Sequence, residues 1–231
     1  MKKLASSAAG LALVAVLAGQ AQADGIDALA ASPMADITDV YAWMNGTSFL
    51  NLIMDVSPKD NGSTSFGPSV LYVFHLTSKA GIGVSKPGGT ETQVICRFAS
   101  NTSVECWVVS GTSTKDYVSG DPSNRAGVSS LLGKVKVFAG RRSDPSFWKL
   151  SSFNSAIATF KTFLPGTTVD GAGCPTGLGA QTSDLRTALV GGSDDFAATH
   201  VMAIVLQVDK SLINVTGNVA VGVWGSTHAG T

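Results

Sequence analysis

Two cysteines, separated by nine residues, restrict what the middle of this chain can form. Cys96 lies in the apolar run QVICRF and Cys106 in the apolar run VECWVV, with the turn-forming Asn101 between them. If both runs are strands of a hairpin centred on Asn101, the two cysteines lie directly opposite each other, close enough for a disulfide. The sequence therefore predicts a cross-strand disulfide between them, with two reduced, buried thiols as the alternative.

The first 23 residues have the three parts of a secretory signal peptide. Lys2 and Lys3 are followed by an apolar run at residues 11–18 and by the small-residue ending AQA at residues 21–23. The apolar run is shorter than the roughly 20 residues that span a bilayer, and Gln20 occupies the position that a lipid-carrying cysteine would need. We predict cleavage after Ala23, export to the periplasm or the extracellular space, and neither a transmembrane nor a lipid anchor. An oxidising compartment favours the disulfide.

The third cysteine, Cys174, lies in the loop-forming sequence GAGCP. In an exported monomer it has no remaining cysteine partner, so it is either a free thiol or a link between two chains. The second alternative predicts self-association through Cys174.

Short apolar or alternating segments separated by turn residues recur along the chain and predict antiparallel strands. Residues 36–56 form a hairpin around Asn45 and Gly46, and further strands are expected at residues 70–76, 134–139, 200–208 and 218–224. Asp144 followed by Pro145 resembles a helix start, and apolar residues then recur at helical spacing to Leu164. Residues 182–190 predict a second, shorter helix. The expected fold is mainly β, a single antiparallel β-sandwich-like domain over residues 24–231 with one or two short helices inserted late in the chain.

Composition and motifs exclude or weaken several classes of function. Charged residues are only 14% of the chain and the formal net charge is +0, so a basic nucleic-acid-binding surface is not expected. The sequence contains no His-Glu-x-x-His, Cys-x-x-Cys, Gly-x-Ser-x-Gly or P-loop motif. His75 lies in an apolar strand, where a hydrogen-bonded buried histidine is expected more often than a ligand or a base. These observations favour a protein that is not an enzyme.

Two pairs of residues are candidates for binding. Tyr41 and Trp43 alternate along the first strand and, if exposed, would stack on a sugar ring or on a partner protein, although aromatic residues are more often part of a core. Arg141 and Arg142 precede the expected helix and would bind an anion, with a solvated loop as the alternative.

Three segments resemble one known family. They are PMADITDVYAW at residues 33–43, FAGRRSDPSF at residues 138–147 and GVWGST at residues 222–227. Together they are similar to the domain-of-unknown-function 4331 family of exported bacterial proteins, whose activity is not established. Ser143 stands where that family usually carries a second acidic residue before the proline.

The acidic residues inside the first two family-like segments are Asp36, Asp39 and Asp144. Clustered carboxylates of this kind hold calcium in other proteins, whereas isolated aspartates in turns serve as hydrogen-bond acceptors for the backbone. The leading prediction is a non-catalytic binding or structural protein of the bacterial envelope or extracellular space. The alternatives are a calcium-type binding or hydrolytic site on these three aspartates, and a self-assembling surface protein.

Overall fold

The computed structural model describes residues 21–22, 32–81, 91–163, 192–214 and 217–230, with isolated positions between 168 and 190. Antiparallel strands build two sheets in these ranges, as the sequence predicts. Among the described residues, no helix is both long and apolar enough to cross a membrane. Cys174 and most of the predicted signal peptide lie outside the described residues. Ala21–Gln22 of that segment form strand β1.

The first sheet has five strands in the order β2, β3, β10, β9 and β8 within the described residues. Their bounds are Ile37–Asn45 for β2, Phe49–Asp60 for β3, His200–Asp209 for β10, Val135–Ser143 for β9 and Val128–Ser129 for β8. The hairpin predicted around Asn45 and Gly46 is confirmed, and Gly46 supplies the positive φ of 60° that this turn needs. Strand β3 extends four residues beyond the hairpin end predicted at residue 56, and this extension includes Ser57 and Lys59, which both have positive φ angles.

The second sheet has six strands in the order β1, β11, β4, β5, β6 and β7 in the part of the chain that the structure describes. Their further bounds are Ala220–Ala229 for β11, Val70–Lys79 for β4, Thr92–Ser100 for β5, Ser103–Ser110 for β6 and Ser113–Gly120 for β7. Sequence patterns did not predict β7, because six of its eight residues are exposed and only Asp116 and Val118 are buried.

The core lies between the two sheets and is built from alternate residues of each strand. On β3, Leu52, Met54 and Val56 are buried there, while the residues between them belong to the opposite face. Across the second sheet, the rings of Phe66, Tyr72 and Phe98 form a cluster, with the first and third stacked at 4.0 Å between centroids. The Tyr72 hydroxyl donates to the carbonyl of Met34 and so satisfies its polar end inside the core.

The predicted disulfide is confirmed. Cys96 on β5 and Cys106 on β6 lie opposite each other in register, with their Cα atoms 4.1 Å apart and their sulfurs bonded. Both are buried between the sheets, so the bridge joins two strands at the centre of the core.

One α-helix, α1 at Leu150–Phe163, is complete within the described residues. It begins five residues later than the sequence predicts, because Asp144 and Pro145 form a turn instead of a helix start. The Asp144 carboxylate accepts the N–H of Ser146, and the first helical N–H, that of Leu150, donates to Asp195 from a distant loop. The predicted second helix lies mostly outside the described residues, where isolated positions such as Arg186 and Thr187 have helical backbone.

Candidate functional site

The outer face of the five-stranded sheet carries most of the residues that the sequence analysis marked. Strand register aligns these residues in rows, because directly opposed residues of antiparallel strands share a face. One row runs across four strands and is apolar: Tyr41, Ile53, Val205 and Phe138. The adjacent row lies nearer to the loop of residues 144–149. It contains Asp39, Asp55, Ala203 and Gly140. A carboxylate pair therefore borders an apolar strip.

Asp39 and Tyr41 are joined on edge strand β2. The Tyr41 hydroxyl donates a hydrogen bond of 3.0 Å to Oδ1 of Asp39. Partial burial, together with this bond and the negative charge nearby, raises the pKa of Tyr41 to about 12. The phenol therefore stays protonated at physiological pH and acts as a donor beside the carboxylates.

Asp55 is the buried member of the row, with only 5% of its surface exposed. Burial raises its pKa to about 7, and the negative charges of Asp39 and Asp144 add to that effect. No positive group among the described residues lowers it. Asp55 therefore titrates near neutral pH beside two further carboxylates, and its ionised form has no positive partner among the described residues.

Asp144 reaches this region from the end of β9. Its N–H donates to the carbonyl of Thr199, and its Oδ2 accepts a 3.3 Å hydrogen bond from the Thr199 hydroxyl. These bonds hold the loop after β9 against the loop before β10. Two sequence segments far apart in the chain thus bring Asp39 and Asp144 to the same end of the sheet.

Asp36, the third member of the predicted calcium set, precedes β2. Its carbonyl accepts the N–H of Ser57, and its carboxylate is not among the charges that raise the Asp55 pKa. In the described ranges, no group of three or more His, Cys, Asp or Glu side chains is arranged to hold a metal ion. The calcium site on Asp36, Asp39 and Asp144 stays a prediction.

Two hydroxyl groups near the carboxylates lack hydrogen-bond partners in the described structure. They are Oγ1 of Thr38, next to Asp39, and Oγ of Ser57, two residues after Asp55. A bulge leaves Thr38 unpaired between Ile37, which pairs with Val56, and Asp39, which pairs with Asp55. Buried hydroxyls are normally bonded, so these two are available to a ligand or to water.

The predicted aromatic pair lies on the surface. Tyr41 is 39% exposed and Trp43 is 47% exposed, and both occupy the outward-facing positions of an edge strand. Exposed aromatic rings beside carboxylates can bind a ligand that has both an apolar surface and positive charge.

The two arginines have intramolecular partners. Arg141 forms an ion pair with the buried carboxylate of Asp60. The guanidinium of Arg142 lies 4.2 Å from the centroid of the Phe138 ring and donates to the carbonyl of Arg141. Both contacts position these side chains within the fold, and anion binding by either arginine stays a prediction.

A second polar cluster, on the outer face of the six-stranded sheet, was not found from the sequence. Glu91 contacts Nδ1 of His75 at 2.8 Å, and Nε2 of His75 contacts Oγ of Ser226 at 2.7 Å. The same Oγ lies 2.8 Å from Nε2 of His228. The expectation of a buried, hydrogen-bonded His75 is correct, while Ser226 became evident only through the pairing of β4 with β11.

Acid, imidazole and hydroxyl follow one another in this cluster in the order of a hydrolase triad. However, Ser226 is 0% exposed, and its oxygen is already bonded to two imidazoles. Trp224 stacks on the His75 ring at 3.5 Å between centroids. Burial, followed by the charge of His75, lowers the pKa of His228. This arrangement supports a stabilising hydrogen-bond network, because a nucleophile must be accessible to its substrate.

Comparison of the chain with protein-family models, with curated proteins and with solved structures finds no match.

Proposed function

We propose that this protein is an exported, non-catalytic binding protein, and that it binds a positively charged ligand at the outer face of its five-stranded sheet. The observation that supports this most is the buried Asp55 carboxylate, which faces two further carboxylates and no cation among the described residues. The ionised form of this buried group is costly unless something compensates its charge, and above about pH 7 a proton no longer does so. A bound cation would provide that compensation.

The surroundings favour an organic cation. Tyr41, whose hydroxyl bonds to Asp39, and Trp43, two residues further along the same strand, are both exposed, and cationic groups bind favourably over such rings. An ammonium group also tolerates carboxylates that are spread apart, because it donates in several directions and requires no fixed coordination shell.

Calcium is the second candidate. It is supported by the two buried hydroxyl groups of Thr38 and Ser57 that have no hydrogen-bond partner in the described structure. With Asp39, Asp55 and Asp144 they provide an all-oxygen set of donors, which is the set that hard cations prefer. The proposed relationship to the domain-of-unknown-function 4331 family is consistent with this, since Asp39 and Asp144 lie in two of the family-like segments.

The test is the melting temperature of the protein, measured first in chelator and then with excess calcium, magnesium or zinc, and separately with spermidine or tetramethylammonium. Saturation about a hundredfold above the dissociation constant stabilises the native state by about 2.7 kcal/mol, which gives a measurable shift. We expect the Asp39→Asn, Asp144→Asn double variant to lose the shift. Asp121→Asn is the control, because Asp121 is exposed and accepts hydrogen bonds from its near neighbour Ser123.

The outcomes separate the candidates. A shift with spermidine or tetramethylammonium, lost in the double variant, supports an organic cation. A shift with calcium that chelator reverses supports the metal. Equal melting temperatures with every cation would reject cation binding at this surface.

A further inference from the structure

A second surface begins beside the carboxylate region, where the chain leaves the turn at Asp144 and enters α1. It consists of large apolar side chains that are all more than a third exposed. We call it the aromatic patch: Phe147, Trp148, Leu150, Phe153 and Ile157. Phe147 is 78% exposed, which is unusual for a phenylalanine. Five such side chains within eleven residues form a contiguous apolar surface, and surfaces of this kind mark interaction sites.

Contacts with Asp195 and Phe196 hold the aromatic patch in place. The Trp148 ring lies 5.6 Å from the Phe153 ring and 5.8 Å from the Phe196 ring, measured between centroids. The N–H of Asp195 donates to the carbonyl of Trp148, and the Asp195 carboxylate accepts the N–H of Leu150. The indole is therefore positioned by the fold, while Phe147 extends beyond it.

Helix α1 presents only part of its circumference to this surface. Leu150, Phe153 and Ile157 recur at intervals of three and four residues, which places them on one stripe. Ala156, on an adjacent side of the helix, is buried. Residues Ser151 and Ser155 lie on the opposite side and are exposed. The helix is thus fixed along one side and carries an apolar stripe beside that fixed side.

Every charged side chain within the segment that carries the patch, residues 145–163, is basic. Residues 145–163 contain no Asp or Glu, whereas Lys149 and Lys161 are both exposed and form no ion pair in the described structure. Arg142 adds a third positive side chain at the start of this segment. Three carboxylates border this segment, those of Asp144, Asp194 and Asp195, and each accepts a backbone N–H group of the protein. An apolar stripe with basic residues beside it is complementary to an anionic lipid surface.

We propose that the aromatic patch docks on the surface of an anionic lipid bilayer, with α1 lying in the plane of the interface. Phe147 and Trp148 enter the boundary between headgroups and acyl chains, and Lys149 and Lys161 extend toward the phosphates. The 14 residues of α1 are too few to span a bilayer but suffice for an interfacial helix. A second copy of the chain fits less well. Two antiparallel α1 helices would bring Lys149 of one copy toward Lys161 of the other.

The experiment is cosedimentation of the full chain with vesicles of phosphatidylglycerol and phosphatidylethanolamine, compared with vesicles of phosphatidylcholine alone. We expect binding to the anionic vesicles, weakened by added salt. Phe147→Ser should reduce the partition coefficient about tenfold, since one buried phenylalanine ring contributes about that factor. Leu131→Ser is the matched control, because Leu131 is 100% exposed in a turn of another part of the protein.

Two further variants test the charge and the location. Lys149→Glu with Lys161→Glu should abolish the preference for anionic vesicles, whereas Lys115→Glu, on β7, should not. Brominated phosphatidylglycerol should quench Trp148, so Trp148→Phe removes most of the quenching and Trp43→Phe does not. This readout holds even if residues 11–18 also contact lipid, because it reports the position of the indole.

Two results would overturn the proposal. One is that the wild-type protein and Phe147→Ser bind the anionic vesicles equally and that Trp148→Phe leaves the quenching by brominated lipid unchanged. The other is a dimeric mass in solution that Phe147→Ser converts to a monomer, which would assign the patch to a second copy. Unchanged melting temperatures of the variants establish that they are folded.

Discussion

Arg141 on β9 donates a hydrogen bond from its Nε atom to the carboxylate of Asp60 on β3, whose side chain is fully buried. Asp60 also accepts the N–H groups of Gly62 and Thr64, each at 3.0 Å. Burial alone would raise the pKa of Asp60, but the hydrogen bonds from Arg141 and from the 62–64 segment hold that pKa well below its usual range. One side chain thus connects the end of β3 to β9 across the intervening strand β10.

Replacing Arg141 by Met should therefore destabilise the fold. Removal of one partner from a buried pair costs about 3 to 5 kcal/mol, and we expect about 2 kcal/mol because the guanidinium is partly exposed to solvent. Chemical denaturation at neutral pH measures this loss. Arg142→Met is the control. It removes only a contact with Phe138, so its free energy of unfolding should stay within about 1 kcal/mol of the wild type.

The pH dependence of that loss has a defined sign. The folded-state pKa of Asp60 is depressed, so its contribution is present above the unfolded-state pKa of about 3.9 and is lost as the pH falls further. The difference between wild type and Arg141→Met should shrink as the pH is lowered below about 4. A difference that grows in acid would contradict this account of the pair.

The disulfide should contribute measurably to stability. Cys96→Ala with Cys106→Ala opens a loop of about ten residues, and the chain-entropy model assigns such a loop about 3 kcal/mol. Urea denaturation should show a loss of about this size, with a small addition from the cavity left in the core. Treatment of the wild-type protein with a reducing agent provides the comparison. If neither change moved the urea midpoint, the bridge would have no role in stability.

The two sheets come into close contact at Gly225 on β11. A Cβ atom there would lie 2.7 Å from Cε of Met54 and 3.0 Å from Cγ2 of Val40, so an alanine forces the sheets or these side chains apart. We expect Gly225→Ala to cost about 1 to 3 kcal/mol by overpacking. On the same strand, Gly222→Ala meets nothing closer than the flexible end of Lys79 at 3.4 Å and should be nearly neutral. Equal thermal shifts for the two variants would exclude this explanation.

Much of this architecture could be predicted because the sequence signals are local. The Asn45–Gly46 turn, the cysteine hairpin and the apolar strands each depend on residues close together in the chain, and the disulfide followed from the hairpin register. The turn at Asp144 was misjudged, since an aspartate followed by proline begins turns as readily as helices. The helix begins at Leu150 because the carboxylate of Asp195, from a distant segment of the chain, accepts the N–H of Leu150.

The candidate site was predictable only in part. Asp39, Asp144 and Tyr41 were marked, but the buried carboxylate between them, Asp55, appears in the sequence as one more residue of an apolar strand. Its importance depends on the register of β2 with β3 and on a loop that comes from β9. The network of His75, Ser226 and Glu91 was missed for the same reason, since its members are up to 151 residues apart. Pairing between distant strands leaves no local pattern.

Asp55 makes the stability of the protein depend on pH near neutrality. Its folded-state pKa of about 7 exceeds the unfolded value of about 3.9, so protonation stabilises the native state. That contribution is fully present below the unfolded-state pKa and is lost as the pH rises through about 7, because the charged form is both buried and repelled by Asp39 and Asp144. Without added cation, the free energy of unfolding of the wild-type protein should consequently fall by on the order of 3 kcal/mol between pH 5 and pH 8. The melting temperature should fall over the same range.

Asp55→Asn tests this directly, because the amide has nearly the same shape and does not titrate. The variant should show a flatter profile than the wild type and should be the more stable of the two at pH 8. Asp39→Asn should keep a pH-dependent transition but move it to lower pH, since one of the two repelling charges is gone. A saturating cation should flatten the wild-type profile as well, because it compensates the ionised carboxylates. If Asp55→Asn retained the full wild-type slope between pH 5 and pH 8, the titrating group would be elsewhere and the carboxylate region would lose its main support.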